Sequence, residues 1–357
     1  GPVDAIAKTM VRVRGSYALA VMFKEYPNEI WVARKDSPMI IGTTDSGTYV
    51  ASDVPAILKY TRNVYYIGNL EMACLTPGNV DFYNLDGEQI EKELVEITWN
   101  SEAAEKGGYE HFMMKEIHEQ PKAVKDTINS VVSNDKIDLS ELGLSDDVIQ
   151  DISQIHIVAC GSAYHVGMVA QYVMEDLARI PVRVELASEF RYRNPILNKN
   201  DLVIVISQSG ETADSLAALR EAKKRGVRTL GIVNVVGSTI ARESDGGAYI
   251  YAGPEISVAS TKAFTAQVTT MLIFAGMLAE SHGGNMDTVR QLAKELEALP
   301  ENIQKTLDEN HEAMKKLAKK YRTIPAGKAI LAGQLARLAT GIALIISLMA
   351  FDFDLFF

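Results

Sequence analysis

The stretch Ser207-Gln208-Ser209-Gly210-Glu211-Thr212 gathers three hydroxyls, a side-chain amide and one glycine into six residues. Hydroxyls and amides are short, directional, neutral donors suited to phosphoryl oxygens and sugar hydroxyls. Its flanks say where those donors sit. Leu202 to Ile206 is an unbroken apolar run, which predicts a parallel strand covered on both faces. Beyond the stretch, Ala213, Leu216, Ala217, Leu219 and Ala222 recur at helical spacing, and Lys223-Lys224-Arg225-Gly226 marks a helix C-terminus. The hydroxyls therefore join the C-terminal end of a strand to the N-terminus of a helix, the place where open α/β sheets bind ligands. First-turn N–H groups and the positive helix end favour an anion there, and Ser207, Ser209 and Thr212 can each donate one more hydrogen bond. We read the loop as a phosphate cradle. It is no nucleotide P-loop, because no Gly-Lys-Ser/Thr closes it, and one glycine is too few for a dinucleotide fingerprint. The simpler alternative is that Ser209 only caps the helix.

Similar strand–loop–helix units flank this one along the chain. Ile155 to Ala159 predicts a strand, Cys160-Gly161-Ser162-Ala163-Tyr164 a loop, and His165 to Ala178 a helix. Val182 to Leu186, Thr229 to Val233 and Ala248 to Tyr251 predict further strands, and Thr239 to Glu243 a short helix. Ser260 to Glu280 predicts a long apolar helix capped by Ser260 or Ser257. Alternating strands and helices with short links imply a three-layer α/β/α sandwich with a mostly parallel sheet. Three hydroxyl-bearing loops, Cys160 to Ala163, Ser207 to Thr212 and Ser257 to Thr261, would then face one edge of that sheet. Lys262 stands at a helix start, where the dipole disfavours a cation, and is a further candidate. Cys160 reads equally as packing or chemistry. Glu185, Glu189, Arg191 and Arg193 follow the second strand, placed to orient a loop or to face a partner subunit.

Residues 1–100 look different. Ser16 to Phe23, Ile30 to Ala33, Tyr49 to Ala51, Val64 to Leu75 and Val80 to Tyr83 predict strands separated by turns. Val54 to Tyr60 predicts a short helix, and the whole reads as an antiparallel-rich α+β region. Cys74 lies in an apolar run and reads as a buried structural thiol. Residues 101–125 read as a linker, where His111 and His118 lack companions at metal-ligand spacing and are taken as surface or interdomain residues.

The chain has 357 residues and a formal net charge of -10, which argues against a nucleic-acid partner. Two cysteines form no disulfide framework and suit a reducing, cytoplasmic setting. Leu338 to Phe351 is uncharged but shorter than a membrane span, with Asp352 and Asp354 beyond it.

At its loops the chain resembles the glutamine-dependent glucosamine-6-phosphate synthase family, the isomerising glutamine:fructose-6-phosphate aminotransferases. The run Ser207-Gln208-Ser209-Gly210-Glu211-Thr212 marks the wider sugar isomerase (SIS) superfamily. Glu189-Phe190-Arg191-Tyr192-Arg193 and Val258-Ala259-Ser260-Thr261-Lys262 narrow it to this family. Arg14-Gly15-Ser16-Tyr17-Ala18 and Lys115-Glu116-Ile117-His118-Glu119-Gln120-Pro121 carry the resemblance into the earlier part of the chain. What it implies is a glutaminase domain of the N-terminal-nucleophile class followed by two SIS domains that bind fructose 6-phosphate, accept ammonia and form glucosamine 6-phosphate. By that resemblance Ser207, Gln208, Ser209 and Thr212 hold the phosphate, and Cys160, Gly161, Ser162, Val258 and Ser260 line the rest of the sugar pocket. Ala163 stands where some members carry Ser, removing one hydroxyl contact.

The resemblance also divides the chain. Residues 1–100 correspond to the C-terminal half of the α+β glutaminase domain and 126–298 to the first SIS domain. Residues 299–333 correspond to the start of the second SIS domain, and 334–357 to an apolar tail unlike the family. Position 1 is Gly, so the family's N-terminal cysteine nucleophile is not expected here, nor are the glutamate, histidine and lysine of the second SIS domain. No catalytic residue, cofactor or metal is therefore expected, and an incomplete, inactive chain that still binds phosphosugar is. A homodimer is expected for the intact relative, and no membrane partner. The alternatives are a non-catalytic SIS-type phosphosugar-binding protein, or a glutamine-independent sugar-phosphate isomerase or deglycosylase. Residues 3–100 argue against the last, since such proteins lack a glutaminase remnant.

Overall fold

The computed structural model describes residues 1–97 apart from 53 and 55, 106–137 apart from 134 and 135, and 142–321 apart from 258. The chain divides into two units, Gly1–Glu105 and Lys106–Phe357. The sequence expectations for 98–105, Val258, the 322–333 part of 299–333 and the 334–357 tail lie outside the described residues.

The first unit opens with helix α1 (Pro2–Arg12) and continues through β1 (Tyr17–Phe23), β2 (Tyr26–Lys35), β3 (Ile40–Thr44), β4 (Gly47–Ala51), β5 (Asn63–Tyr66), β6 (Met72–Thr76), β7 (Asn79–Tyr83), β8 (Gln89–Ile90) and β9 (Val95–Glu96). One antiparallel sheet has the order β1-β2-β6-β7-β8 and a second β4-β3-β5-β9. The period of two in the strands explains how they stack. Trp31, Ala33, Met72 and Cys74 turn to one face and pack on Ile6 and Met10 of α1. Val32, Ala73 and Leu75, one residue out of step, pack on Ile41 of the second sheet.

Two expectations fail in this unit. Val64 to Leu75 is not one strand but β5 and β6, in different sheets, parted by a bend in which Leu70 takes φ 58°. Gly68-Asn69 inside the stretch is a turn signal and marks the break. Residues 56–60 form turns rather than a helix, with the N–H groups of Ile57 and Leu58 both donating to Val54 O.

The second unit begins with α2 (Phe112–His118), α3 (Gln120–Val131), a two-residue ladder β10 (Val132–Ser133) and β11 (Lys136–Ile137), and α4 (Asp146–Gln150). Then strands and helices alternate: β12 (Gln154–Ala159), α5 (Gly161–Leu177), β13 (Val182–Leu186), α6 (Ala187–Tyr192), β14 (Asp201–Ser207), α7 (Ala213–Lys224), β15 (Arg228–Val233), α8 (Thr239–Glu243) and β16 (Gly246–Tyr249). Helices α9 (Lys262–Ser281) and α10 (Met286–Tyr321) follow. The sheet order is β13-β12-β14-β15-β16, and every pairing is parallel.

β14 is central and buried along its whole length. Leu202, Ile204 and Ile206 face a core shared with α3, α5, α9 and α10, and Val203 and Val205 face one built by Phe190, Leu216, Leu219 and Ile240. Each fully buried side chain of this size contributes about 1.5–3 kcal/mol, so the strand under the hydroxyl loop is the firmest support available. This is the three-layer sandwich with a parallel sheet that the alternating pattern predicts. Helix α9 is long and apolar enough to cross a membrane, yet most of it is buried against α3, α4, α5 and α10, as the core helix of a layered domain is.

Candidate functional site

Because β12, β14 and β15 are parallel and in register, Ala159 lies beside Ile206 and Ser207 beside Val233. The loops leaving these strands start from one edge. At the centre is the hydroxyl stretch between β14 and α7. Ser207 is buried, and its Oγ accepts the N–H of Gly210 (3.0 Å) and lies 3.0 Å from Thr212 Oγ1. Ser209 Oγ accepts the N–H of Glu211 at 3.2 Å. Thr212 occupies the N-cap of α7, but no side chain caps the helix there. The capping alternative for Ser209 thus fails, because its hydroxyl closes a turn two residues short of the helix.

Gly210 explains how close this loop lies to its neighbour. It takes φ 66°, and its carbonyl accepts the N–H of Ile240 at 3.0 Å. A Cβ at 210 would stand 2.0 Å from Ser238 Oγ. Glu211, the one carboxylate in the stretch, accepts the N–H of Thr239 at the start of α8 (2.7 Å). Its charge is engaged by α8, which leaves the loop to present hydroxyls, Gln208 and main-chain N–H groups.

The other loops are tied to this one. Cys160 caps α5 by position, and Gly161 begins the helix with φ 58° and open space where a Cβ would point, so the glycine serves conformation rather than clearance. Ser215 Oγ, in the first turn of α7, lies 3.9 Å from Cys160 Sγ. Ser162 is half-buried beside it. Asn234, the residue after β15, donates its N–H to Gln208 O (3.1 Å). Its side chain donates to Gly253 O (2.7 Å) and accepts the N–H of Ala252 (2.9 Å). Asn234 thus couples the phosphate-type loop to the segment that leads to Ser260. Sequence reasoning missed it, though a polar residue directly after a buried strand is the available signal.

The segment before α9 departs from expectation. Neither Ser257 nor Ser260 is the N-cap of α9; Thr261 holds that position without a side-chain cap bond. Glu255 serves instead, its Oε1 accepting the N–H groups of Thr261 (2.7 Å) and Ala263 (3.2 Å). Burial pushes the Glu255 carboxyl above its ordinary range despite those bonds. Lys262, which the helix dipole alone would disfavour, is only 3% exposed, and its Nζ meets Glu119 Oε2 at 2.7 Å. Ser260 is half-buried in this segment. Arg191 pairs with Asp214 of α7 (2.7 Å) and Arg193 with Glu185, so those residues brace α6 against its neighbours. Of the sequence-predicted residues, Cys160, Gly161, Ser162, Ser207, Gln208, Ser209, Thr212 and Ser260 all lie on loops or first turns belonging to this edge. Among the described residues, no group of three or more His, Cys, Asp or Glu side chains is arranged to hold a metal.

Comparison with known proteins agrees with the parallel-sheet fold. A family model for the SIS domain matches residues 148–277. The chain is 49% identical over 320 residues to a glutamine–fructose-6-phosphate aminotransferase (isomerising) of Clostridium acetobutylicum, covering 89% of this chain and 53% of that protein. It is 50% identical over 324 residues to the protein of the same name in Caldanaerobacter subterraneus, covering 90% of this chain and 53% of that one. Among solved structures it is similar to the C-terminal domain of glucosamine-fructose-6-phosphate aminotransferase from Francisella tularensis. That likeness has a TM-score of 0.57 and 38% identity, and covers 61% of this chain and 62% of the other. The chain spans about half the length of the curated relatives it matches.

Proposed function

We propose that this chain, which belongs to the family of isomerising glutamine–fructose-6-phosphate aminotransferases, binds fructose 6-phosphate at the C-terminal edge of its parallel sheet. Ser207, Gln208, Ser209 and Thr212 hold the phosphoryl group with the first-turn N–H groups of α7. Cys160, Gly161, Ser162, Val258 and Ser260 line the sugar. The observation that carries this reading is the β14–α7 turn, where buried Ser207 sits 3.0 Å from Thr212 at a helix N-terminus while Glu211 is engaged by α8. A dianionic phosphoryl group meets neutral donors and a positive helix end there, and the carboxylate of Glu211 is engaged by α8.

The reaction of the whole protein, in our reading, moves the amide nitrogen of glutamine to fructose 6-phosphate and isomerises the product to glucosamine 6-phosphate, releasing glutamate. We assign residues 126–298 to the first SIS domain and 299–333 to the start of a second. Residues 1–100 we assign to the C-terminal half of an N-terminal-nucleophile glutaminase domain, a reading supported by its two stacked antiparallel sheets. Residues 101–125 join them. We assign sugar binding to these residues of the chain. Pairing of SIS domains into a homodimer belongs to the same proposal.

The test is titration calorimetry of the chain with fructose 6-phosphate. Ser209→Ala combined with Thr212→Ala removes two hydroxyls that face a charged group, at about 1.5–3 kcal/mol each. Affinity should fall by roughly a hundredfold or more. Equal affinity in the two proteins refutes the phosphate assignment.

A further inference from the structure

The loop before α9 has little main-chain support of its own. Among the described residues from Gly253 to Ser260, no N–H donates to a main-chain carbonyl. Beside the bond from Asn234 to Gly253 O, what holds Ile256 and Ser257 comes from a segment about 140 residues earlier in the chain, outside the part matched by the SIS family model. Glu116 of α2 is 2% exposed, and its Oε1 accepts the N–H groups of Ile256 (2.6 Å) and Ser257 (3.0 Å). Its Oε2 accepts the Ser257 hydroxyl. One helical turn on, Glu119 meets Lys262, and Gln120 Oε1 accepts the Thr265 hydroxyl at 2.7 Å. Three consecutive clasps thus run along one side of the loop and the first turn of α9.

Buried main-chain N–H groups need acceptors, and an irregular loop cannot supply them to itself. A carboxylate that takes three donors from adjacent residues fixes the path of the chain between them. Here that path leads to Ser260. We infer that Glu116 is a positioning residue for sugar recognition, and that α2 is a working part of the phosphosugar site rather than a linker. Glu119 and Gln120 anchor the adjoining helix start. The inference rests on the sugar-binding reading above. It adds that the site has two separately supported halves: a phosphate half carried by β14 and α7, and a sugar half whose shape depends on α2.

The experiment compares two probes, fructose 6-phosphate by calorimetry and inorganic phosphate by phosphorus NMR, on the whole chain and on Glu116→Gln. Glutamine keeps the size but loses the charge and one acceptor. Affinity for fructose 6-phosphate should fall roughly tenfold, the worth of one charge-assisted bond, while affinity for inorganic phosphate stays within about twofold. Equal losses for both probes, or no loss for either, overturn the inference. If the unaltered chain binds no fructose 6-phosphate, the site reading itself fails and takes the inference with it. Ser257→Ala removes a single hydroxyl clasp and keeps the test open should Glu116→Gln not fold. It should show the same split between the probes in smaller measure, and an unsplit response overturns the inference.

Discussion

Gly210→Ala probes the closest approach in the proposed site, and its cost can be worked out from two separate causes. The first is conformational. Gly210 takes φ 66°, in the left-handed region, where a Cβ costs about 1–2 kcal/mol. The second is steric. The new Cβ would stand 2.0 Å from Ser238 Oγ and 2.5 Å from Ser238 Cβ, and Ser238 is held at the N-cap of α8 with little room to retreat. Overpacking of this kind costs about 1–3 kcal/mol. The two causes are independent, so the single variant should lose about 2–5 kcal/mol in urea unfolding. Adding Ser238→Gly removes the clashing atoms and leaves the backbone cost. Glycine at a helix N-cap costs only a few tenths of a kcal/mol, so the double variant should be more stable than Gly210→Ala alone. The perturbation also pushes the β14–α7 turn away from α8, through the bond from Ile240 to Gly210 O, so fructose 6-phosphate affinity should fall in the single variant and partly return in the double. Stability of Gly210→Ala within about 0.5 kcal/mol of the parent would refute the geometry, since that is the range of a neutral surface change. So would a double variant less stable than the single one.

Legibility from sequence followed the range over which the physics acts. The β14–α7 unit was readable because a strand buried on both faces needs an unbroken apolar run. Helical spacing and the Lys-Lys-Arg-Gly stop then place the helix end. The parallel sheet followed from alternation alone. The split of Val64 to Leu75 carried a local signal in Gly68-Asn69, but which sheet each short strand joins is set by pairing with distant strands. The role of α2 was hidden for a different reason. Glu116 and Glu119 look like solvated charges on a short helix, and only the fold shows that their partners are Ser257 and Lys262. Lys262 carried a signal, since a cation at a helix start is unfavourable unless something pairs with it. The partner's identity, however, is set by long-range packing. Asn234 belongs to the same class, a single polar residue whose partners at Gln208, Ala252 and Gly253 lie on other loops.

Two further perturbations test the framework beneath the site. Ile204→Ala empties the centre of the fully buried strand and should cost about 2–5 kcal/mol in urea unfolding; a loss under about 1 kcal/mol would mean β14 is not the support described. His156 gives a test by pH. It is buried on β12, with Asp201 Oδ2 3.4 Å from Nε2, Glu185 Oε1 3.9 Å from Nδ1 and the Phe190 ring alongside. Burial holds its pKa below the ordinary 6.5; the two carboxylates oppose that shift and Arg183 adds to it. The folded chain therefore takes up this proton less readily than the unfolded chain, so the contribution is full above the unfolded pKa and is lost as pH falls below it towards the depressed folded value. Over the interval in which pH falls below the unfolded value of 6.5, the parent should lose urea stability relative to His156→Leu. Curves for the two proteins that run parallel through that interval would show that His156 keeps its ordinary pKa in the fold, contrary to its burial between β12 and α6.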